Sequence, residues 1–177
     1  MGRPKLLLPW KGKAIVRWSV EAIVPHVDRV VVVTGPDDAG VRDALAGITV
    51  EFAVNPKPHE GQGTSIAVGI RALPPWTRAA LIVLGDQPQV PGDVVPGLLA
   101  AWRTSGRSIV APLYRGVPGT PVLFSADVFT ELTALGGDAG ARAVVQARPE
   151  RVERVPFDVA MPSDVDTPED YARLHVE

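Results

Sequence analysis

A single three-layer α/β domain with a mainly parallel sheet is the fold class this sequence predicts, and three observations carry the prediction. Short runs of β-branched and apolar residues alternate with helical patterns of about ten residues, the rhythm of βαβ units joined by right-handed crossovers. The 17 glycines and 18 prolines cluster between these stretches as punctuation and form no linker. A length of 177 residues with 46% hydrophobic composition suits one domain with a sizeable core.

The elements follow in order. The opening Met1-Gly2-Arg3-Pro4-Lys5-Leu6-Leu7-Leu8-Pro9-Trp10 holds no buried strand before Lys5. Apolar residues near helical spacing predict a helix over 15–24. Arg29 to Thr34 reads as a strand stopped by Gly35-Pro36, with a helix over 38–45 after it. Val50 to Val54 is a second strand, ended by Asn55-Pro56, and a helix follows from Ser65 to Ala72. Leu81 to Leu84 reads as a buried strand that ends abruptly in Gly85-Asp86, with Pro88 to block a helix. A helix over 94–105 leads to strands at 108–111 and 121–124. Helices over 126–135 and 139–147, a strand at 151–156 and a helix over 168–175 complete the series.

Composition narrows the chemistry. The net charge of −2 leaves no basic footprint for nucleic acid or an anionic membrane. The absence of cysteine excludes disulfides, thiolate catalysis and sulfur-ligated metals. His26, His59 and His175 lie far apart and show no ligand spacing, so any metal is expected on oxygen ligands. No run reaches membrane-spanning length and no signal peptide is visible, which makes a cytoplasmic location the default expectation.

Asp86 is the most informative residue. A carboxylate delivered to the C-terminal edge of a strand stands where open α/β sheets bind ligands, and it suits Mg²⁺, which takes one or two carboxylates plus phosphate oxygens. Gly-Asp is also ordinary turn chemistry. The loop Glu60-Gly61-Gln62-Gly63-Thr64-Ser65 allows close backbone approach to a ligand before a helix N-terminus, and Gln62, Thr64 and Ser65 offer hydrogen bonds to a base or ribose. A flexible loop with a simple cap would read the same way. Lys5, and Arg3 beside it, could neutralise phosphate oxygens or be plainly solvated. In Gly136 to Arg142, Asp138 is a good N-cap while Asp138 and Arg142 together could meet a second substrate. Thr167-Pro168-Glu169-Asp170 reads as a capped helix start. Asp164 and Asp166 precede that cap and, in extended chain, point to one face.

Taken in order, Lys5 to Trp10, Gly61 to Ser65, Leu84-Gly85-Asp86-Gln87-Pro88, Gly137 to Arg142 and Asp164 to Tyr171 resemble the MobA-like nucleotidyltransferase family, most closely its molybdenum cofactor cytidylyltransferase branch. The resemblance spans nearly the whole chain. It implies a Rossmann-like three-layer αβα fold and transfer of a nucleotidyl group, CMP from CTP being favoured, onto a phosphorylated acceptor, with molybdopterin favoured and pyrophosphate released. It implies that Lys5 and Arg3 bind the triphosphate and that Gly61, Gln62, Gly63, Thr64 and Ser65 hold base and ribose. Asp86 would coordinate Mg²⁺ with Asp166 or Asp164 as second ligand, and Asp138 and Arg142 would lie near the acceptor. A molybdoenzyme is an implied partner.

Two departures from the family pattern stand out. Family members begin with an apolar strand and a glycine-rich loop before the lysine, so residues 1–177 read as one N-terminally truncated domain lacking the first strand and most of that loop. Exposed strand edges and impaired catalysis are the expectation for a chain starting at Met1. Thr120 stands where the family often has histidine. Alternatives to the leading reading are transfer from another NTP to a sugar phosphate or small phosphorylated alcohol, and a non-catalytic nucleotide- or cofactor-binding module.

Overall fold

The structure, a computed structural model, describes residues 4–175. A short 3-10 turn at Lys5–Leu7 precedes a hairpin of β1 (Pro9–Trp10) and β2 (Lys13–Ala14), which leads into α1 (Ile15–Glu21). Then come β3 (Val31–Thr34), α2 (Ala39–Ala44), β4 (Glu51–Val54) and α3 (Gln62–Arg71). β5 (Ala79–Ile82) and α4 (Val94–Ser105) are followed by β6 (Ile109–Tyr114), β7 (Val117–Pro118) and β8 (Val122–Ser125). α5 (Phe129–Thr133), α6 (Ala141–Ala147), β9 (Val152–Phe157) and α7 (Pro168–Arg173) end the chain.

β6 is the centre of a five-stranded mixed sheet. It pairs in parallel with β9 and antiparallel with β7 and β8, while β8 pairs antiparallel with β5 on its other side. β5, β6 and β9 therefore run the same way, and β8 is an antiparallel strand set between β5 and β6. The three layers follow from side-chain alternation. Ile109, Ala111, Val122 and Phe124 face a core shared with Ile66, Ile70, Val128, Leu132, Val144 and Val145 of the α3, α5 and α6 side. Val110 and Leu123 point the other way, onto Val94 and Leu98 of α4.

β3 and β4 form a separate parallel pair. Val30 and Val32 share a third apolar cluster with Val16 and Val20 of α1, with Val95, and with Leu81 of β5 and Val83 just after it. The strand read at Leu81 to Leu84 begins two residues earlier, at Ala79, and is half-buried instead of buried. Its one ladder partner among the described residues is β8, so it lacks the cover that a central strand has on both edges.

Two hairpins absent from the sequence reading turn on Lys11-Gly12 and Arg115-Gly116. Both pairs have positive φ at each residue (44° and 81°, 47° and 86°). Such two-residue turns match the twist of paired strands, and X-Gly between apolar positions was their available signal. The helix read over 126–135 divides into a 3-10 turn at Ala126–Val128 and α5. Among the described residues, no helix is long and apolar enough to cross a membrane.

Candidate active site

The C-terminal edge of β5 collects the acids. After Ile82 the chain passes through Val83 and Leu84 to Gly85, whose carbonyl accepts the Ser19 hydroxyl of α1 at 3.0 Å. The 3-10 turn at 5–7 is wedged at the same edge: Leu7 packs on Gly40 at the start of α2, and a Cβ at Gly85 would meet Leu6 Cδ2 at 3.5 Å. Lys5 is thereby held over Asp86. The segment 164–166 arrives from far along the chain and is fixed by the Val165 N–H, which donates to the Asp86 carbonyl at 3.1 Å. Val165 is buried with Trp10, Ile15 and Leu174, and the Trp10 indole N–H donates to the Leu174 carbonyl at 2.8 Å. α7 begins at the expected cap: Thr167 and Asp170 form a reciprocal capping box with Pro168 in the first turn.

Lys5 Nζ donates to Asp86 Oδ2 and to Asp166 Oδ1, both at 2.6 Å. Partial burial pulls the Lys5 pKa down, but the hydrogen bonds to Asp166 and Asp86, and their charges, outweigh it and raise it above its ordinary value. One ammonium bridging two carboxylates shows that the pair suits a cation. Both oxygens lie 2.6 Å from one nitrogen, so Asp86 and Asp166 would be the residues to hold a divalent cation there, which would supply charge neutralisation to substrate phosphates. Among the described residues no group of three or more acidic or histidine side chains could hold a metal. Two carboxylates are what an ion needs when its remaining ligands are water and substrate phosphate.

Asp164 shares the outward face with Asp166 but meets a different partner. Its Oδ1 accepts from Gln87 Nε2 at 2.6 Å, and Gln87 Oε1 accepts the Thr120 hydroxyl at 2.5 Å. The Tyr114 hydroxyl donates to the Thr120 carbonyl at 2.7 Å, which extends the network into β6. Desolvation, with the charges of Asp86 and Asp166, raises the Asp164 pKa against the opposing Gln87 bond. Gln87 is only 4% exposed. Because an ionised carboxylate only accepts, the amide N–H must face Asp164 and the amide oxygen must face Thr120. The sequence reading quoted Gln87 in its motif without assigning it this role.

The two glycine-rich loops close on each other. Gly61 has φ 104°, and a Cβ there would lie 2.3 Å from the carbonyl of Gly137. The Gly63 N–H donates to the Gly137 carbonyl at 3.0 Å, and a Cβ at Gly140 would meet Gln62 Oε1 at 2.5 Å. The close approach that these glycines permit is therefore to a second backbone. α3 starts at Gln62, three residues before the expected Ser65, which puts Gln62 to Ser65 in its first turn. Asn55, buried at the end of β4 and missed in the sequence, donates from Nδ2 to Thr64 Oγ1 at 2.9 Å and to Ser65 Oγ at 3.0 Å. Thr64 in turn donates to the Gly61 carbonyl at 2.8 Å. The Thr64 hydroxyl is thus committed to shaping the loop, while Gln62 stays exposed. The available signal for Asn55 was Asn-Pro directly after a strand.

Asp138 and Arg142 are both exposed and make no hydrogen bond or ion pair among the described residues. The N-cap of α6 is Gly140, so the capping role read for Asp138 does not hold: the helix starts two residues later than expected. Arg3 lies outside the described residues.

A strand-edge acid pair suited to a cation, a lysine over it and glycine-rich loops at a helix start are the equipment of an NTP-dependent nucleotidyltransferase. Residues 1–153 match the MobA-like NTP transferase domain, and the chain belongs to that family. It is 24% identical to the molybdenum cofactor cytidylyltransferase of Escherichia coli K12, over 97% of this chain and 86% of that protein. It is 30% identical to the nicotine blue oxidoreductase of Paenarthrobacter nicotinovorans, over 98% of this chain and 89% of that one. The crystal structure of Rv0371c from Mycobacterium tuberculosis H37Rv in complex with manganese superposes with a TM-score of 0.86 at 28% identity, covering 99% of this chain and 94% of that one.

Proposed function

We propose that this nucleotidyltransferase moves CMP from CTP onto the phosphate of a molybdopterin-type acceptor, in the cytoplasm, with Mg²⁺ held by Asp86 and Asp166. The observation that carries the reading is the bridged Lys5–Asp86–Asp166 centre at the sheet edge. The likeness to a molybdenum cofactor cytidylyltransferase supports the choice of CTP and acceptor, and the manganese-bound structural relative supports a divalent ion.

In this reading an acceptor phosphate oxygen attacks the α-phosphorus in line, the bond to the β-phosphate oxygen breaks, and pyrophosphate carries off the electron pair. A phosphate oxygen is already anionic, so no histidine or thiol base is needed. Positioning and charge neutralisation supply most of the rate. Lys5 moves from its carboxylate partners onto the triphosphate. The bound divalent ion supplies charge neutralisation at the phosphates. The first turn of α3 with Gln62 and Ser65 holds base and ribose, Gly61 and Gly63 let the two loops lie close enough to shape that pocket, and Arg3 adds charge to the triphosphate. Asp138 and Arg142, free of protein partners, face the acceptor. Gln87 keeps Asp164 aside from the two metal-binding carboxylates. A molybdoenzyme would receive the product.

The 30% identity to nicotine blue oxidoreductase supports a second reading, redox chemistry on the pigment nicotine blue. The two separate in one assay: pyrophosphate release with Mg²⁺, molybdopterin and each NTP in turn, beside oxidation of a reduced nicotinamide with the pigment. CTP-dependent pyrophosphate release is expected. No release with any NTP, alongside pigment reduction, would overturn the transferase reading. Nucleotide binding without turnover in either assay would leave a binding module.

A further inference from the structure

The opposite edge of the sheet holds a second concave site of inverted charge. Where β5 and β6 begin and β8 ends, a cavity of about 530 Å³ is lined by Arg78, Arg103, Arg107, Trp102, Ser125 and Asp127. That volume is within the range of small-ligand sites. Arg78 stands just before β5 and Asp86 follows it, so the two sites lie on the order of 20 Å apart along the strand direction.

Among the described residues the three guanidinium groups have no carboxylate partner, whereas Arg17, Arg29, Arg42, Arg115, Arg151 and Arg173 each pair with one. Arg107 spends one N–H on the Glu150 carbonyl at 2.6 Å. Arg78 lies 6.0 Å over the Trp102 ring, and Arg103 makes no hydrogen bond or ion pair among the described residues. The lining holds one acid, Asp127, whose Oδ2 accepts the Ser108 hydroxyl at 2.5 Å, so three guanidinium groups stand against a single carboxylate. The frame around the cations is built. Trp102 Nε1 donates to Ser125 Oγ at 2.7 Å, fixing the indole. Gly106, left-handed at φ 66°, turns the chain sharply so that Arg103 and Arg107 flank one rim.

We propose that this cavity binds a small phosphate-bearing dianion, at a site distinct from the transfer centre. Guanidinium forks match phosphate oxygens in bidentate geometry and give up hydration more readily than an ammonium, which makes arginine the residue for the task. Three like charges facing one concavity repel one another, and a dianion relieves that repulsion while the Trp102 ring supplies a flat apolar wall.

The test uses full-length protein carrying Lys5→Met, which removes the lysine of the transfer centre, and follows inorganic pyrophosphate and, separately, AMP by calorimetry without divalent ions. Saturable binding of one equivalent is expected, weakened at least tenfold in Arg103→Gln/Arg107→Gln. The accompanying change in tryptophan fluorescence should vanish in Trp102→Phe. A tighter fit for AMP would identify a nucleotide as the source of the phosphate; a tighter fit for pyrophosphate would identify the inorganic ion. No saturable binding, or binding that the arginine variant leaves unweakened, overturns the proposal. The outcome is independent of turnover, so loss of the cytidylyl-transfer reading would leave this one standing.

Discussion

The two edges of one strand carry opposite chemistry and opposite degrees of completion. At the C-terminal end of β5, one ammonium bridges two carboxylates and a third carboxylate stands apart from it, and each acid has a protein partner: Lys5 for Asp86 and Asp166, Gln87 for Asp164. At the N-terminal end, three guanidinium groups share a cavity and none has a carboxylate partner among the described residues. The first edge is tied together by a backbone bond from Val165 to Asp86 and by internal ion pairs, while the second is open. A site whose own residues neutralise one another is fixed in place before substrate comes, and its ligand must displace internal partners. An uncompensated site is indifferent to its own removal and leaves its charge for a ligand.

The largest effect should come from Asp86→Ala. Removing one of two carboxylates from the cation centre should lower turnover by about 10²–10³-fold, the scale of a lost transition-state contact, with nucleotide affinity changed only a few-fold. Steady-state rates beside equilibrium binding check this, and equal turnover in mutant and parent would remove Asp86 from the metal site.

Gly61→Ala comes next. A Cβ placed 2.3 Å from the Gly137 backbone, at φ 104°, cannot be relieved by a side-chain rotation. Destabilisation of roughly 1–3 kcal/mol is expected, read by urea unfolding. Arg103→Gln at the open edge should change stability by less than about 0.5 kcal/mol, as for other surface substitutions. Similar losses in both variants would erase the contrast between the tightly packed loop backbone and the open edge.

Gln87→Leu should cost about 1–3 kcal/mol, because it strands the partners of a buried amide. The measurement is again urea unfolding, and a cost near zero would mean that water replaces the amide.

Asp164→Asn should have the smallest effect, in the opposite direction. The carboxyl pKa of Asp164 is raised in the folded protein, chiefly by desolvation. The folded state therefore holds the proton more tightly than the unfolded chain, and stability falls as pH rises through the folded pKa. Asparagine keeps an acceptor for Gln87 and carries no charge. A higher melting temperature than the parent is expected at pH 7, shrinking towards zero by about pH 3, below the ordinary aspartate value. A gain that persists at pH 3 would point to packing instead of charge.

Much of this arrangement was legible in the residues. The existence of β5, the start of α7, the 94–105 helix and the Thr167 cap follow from local chemistry: an apolar run, helical periodicity, and a threonine before proline, although β5 ends at Ile82, two residues before the Leu84 that the Gly-Asp break suggested. The start of α3 and the Asp138 cap were misread because each depends on a neighbouring loop, since the glycines near both helix starts answer to a backbone about 75 residues away in sequence. The half-burial of β5 was equally invisible, because an apolar run reports its composition and not how many of its edges find partners.

By itself the sequence determined the inventory: acids before α7, a carboxylate at a strand end, a lysine near the start, glycines at two helix starts, and no sulfur ligand. Only the tertiary structure decided the pairings. Lys5 reaches Asp86 across 81 positions and Asp166 across 161, and what selects Asp166 over Asp164 is the burial of Val165 beside Trp10 and Leu174, with Gln87 holding the other acid. Local propensities act over a few residues, so they can place a charge on an element. Which charges meet is settled where elements pack, by the shape of the apolar surface beneath them.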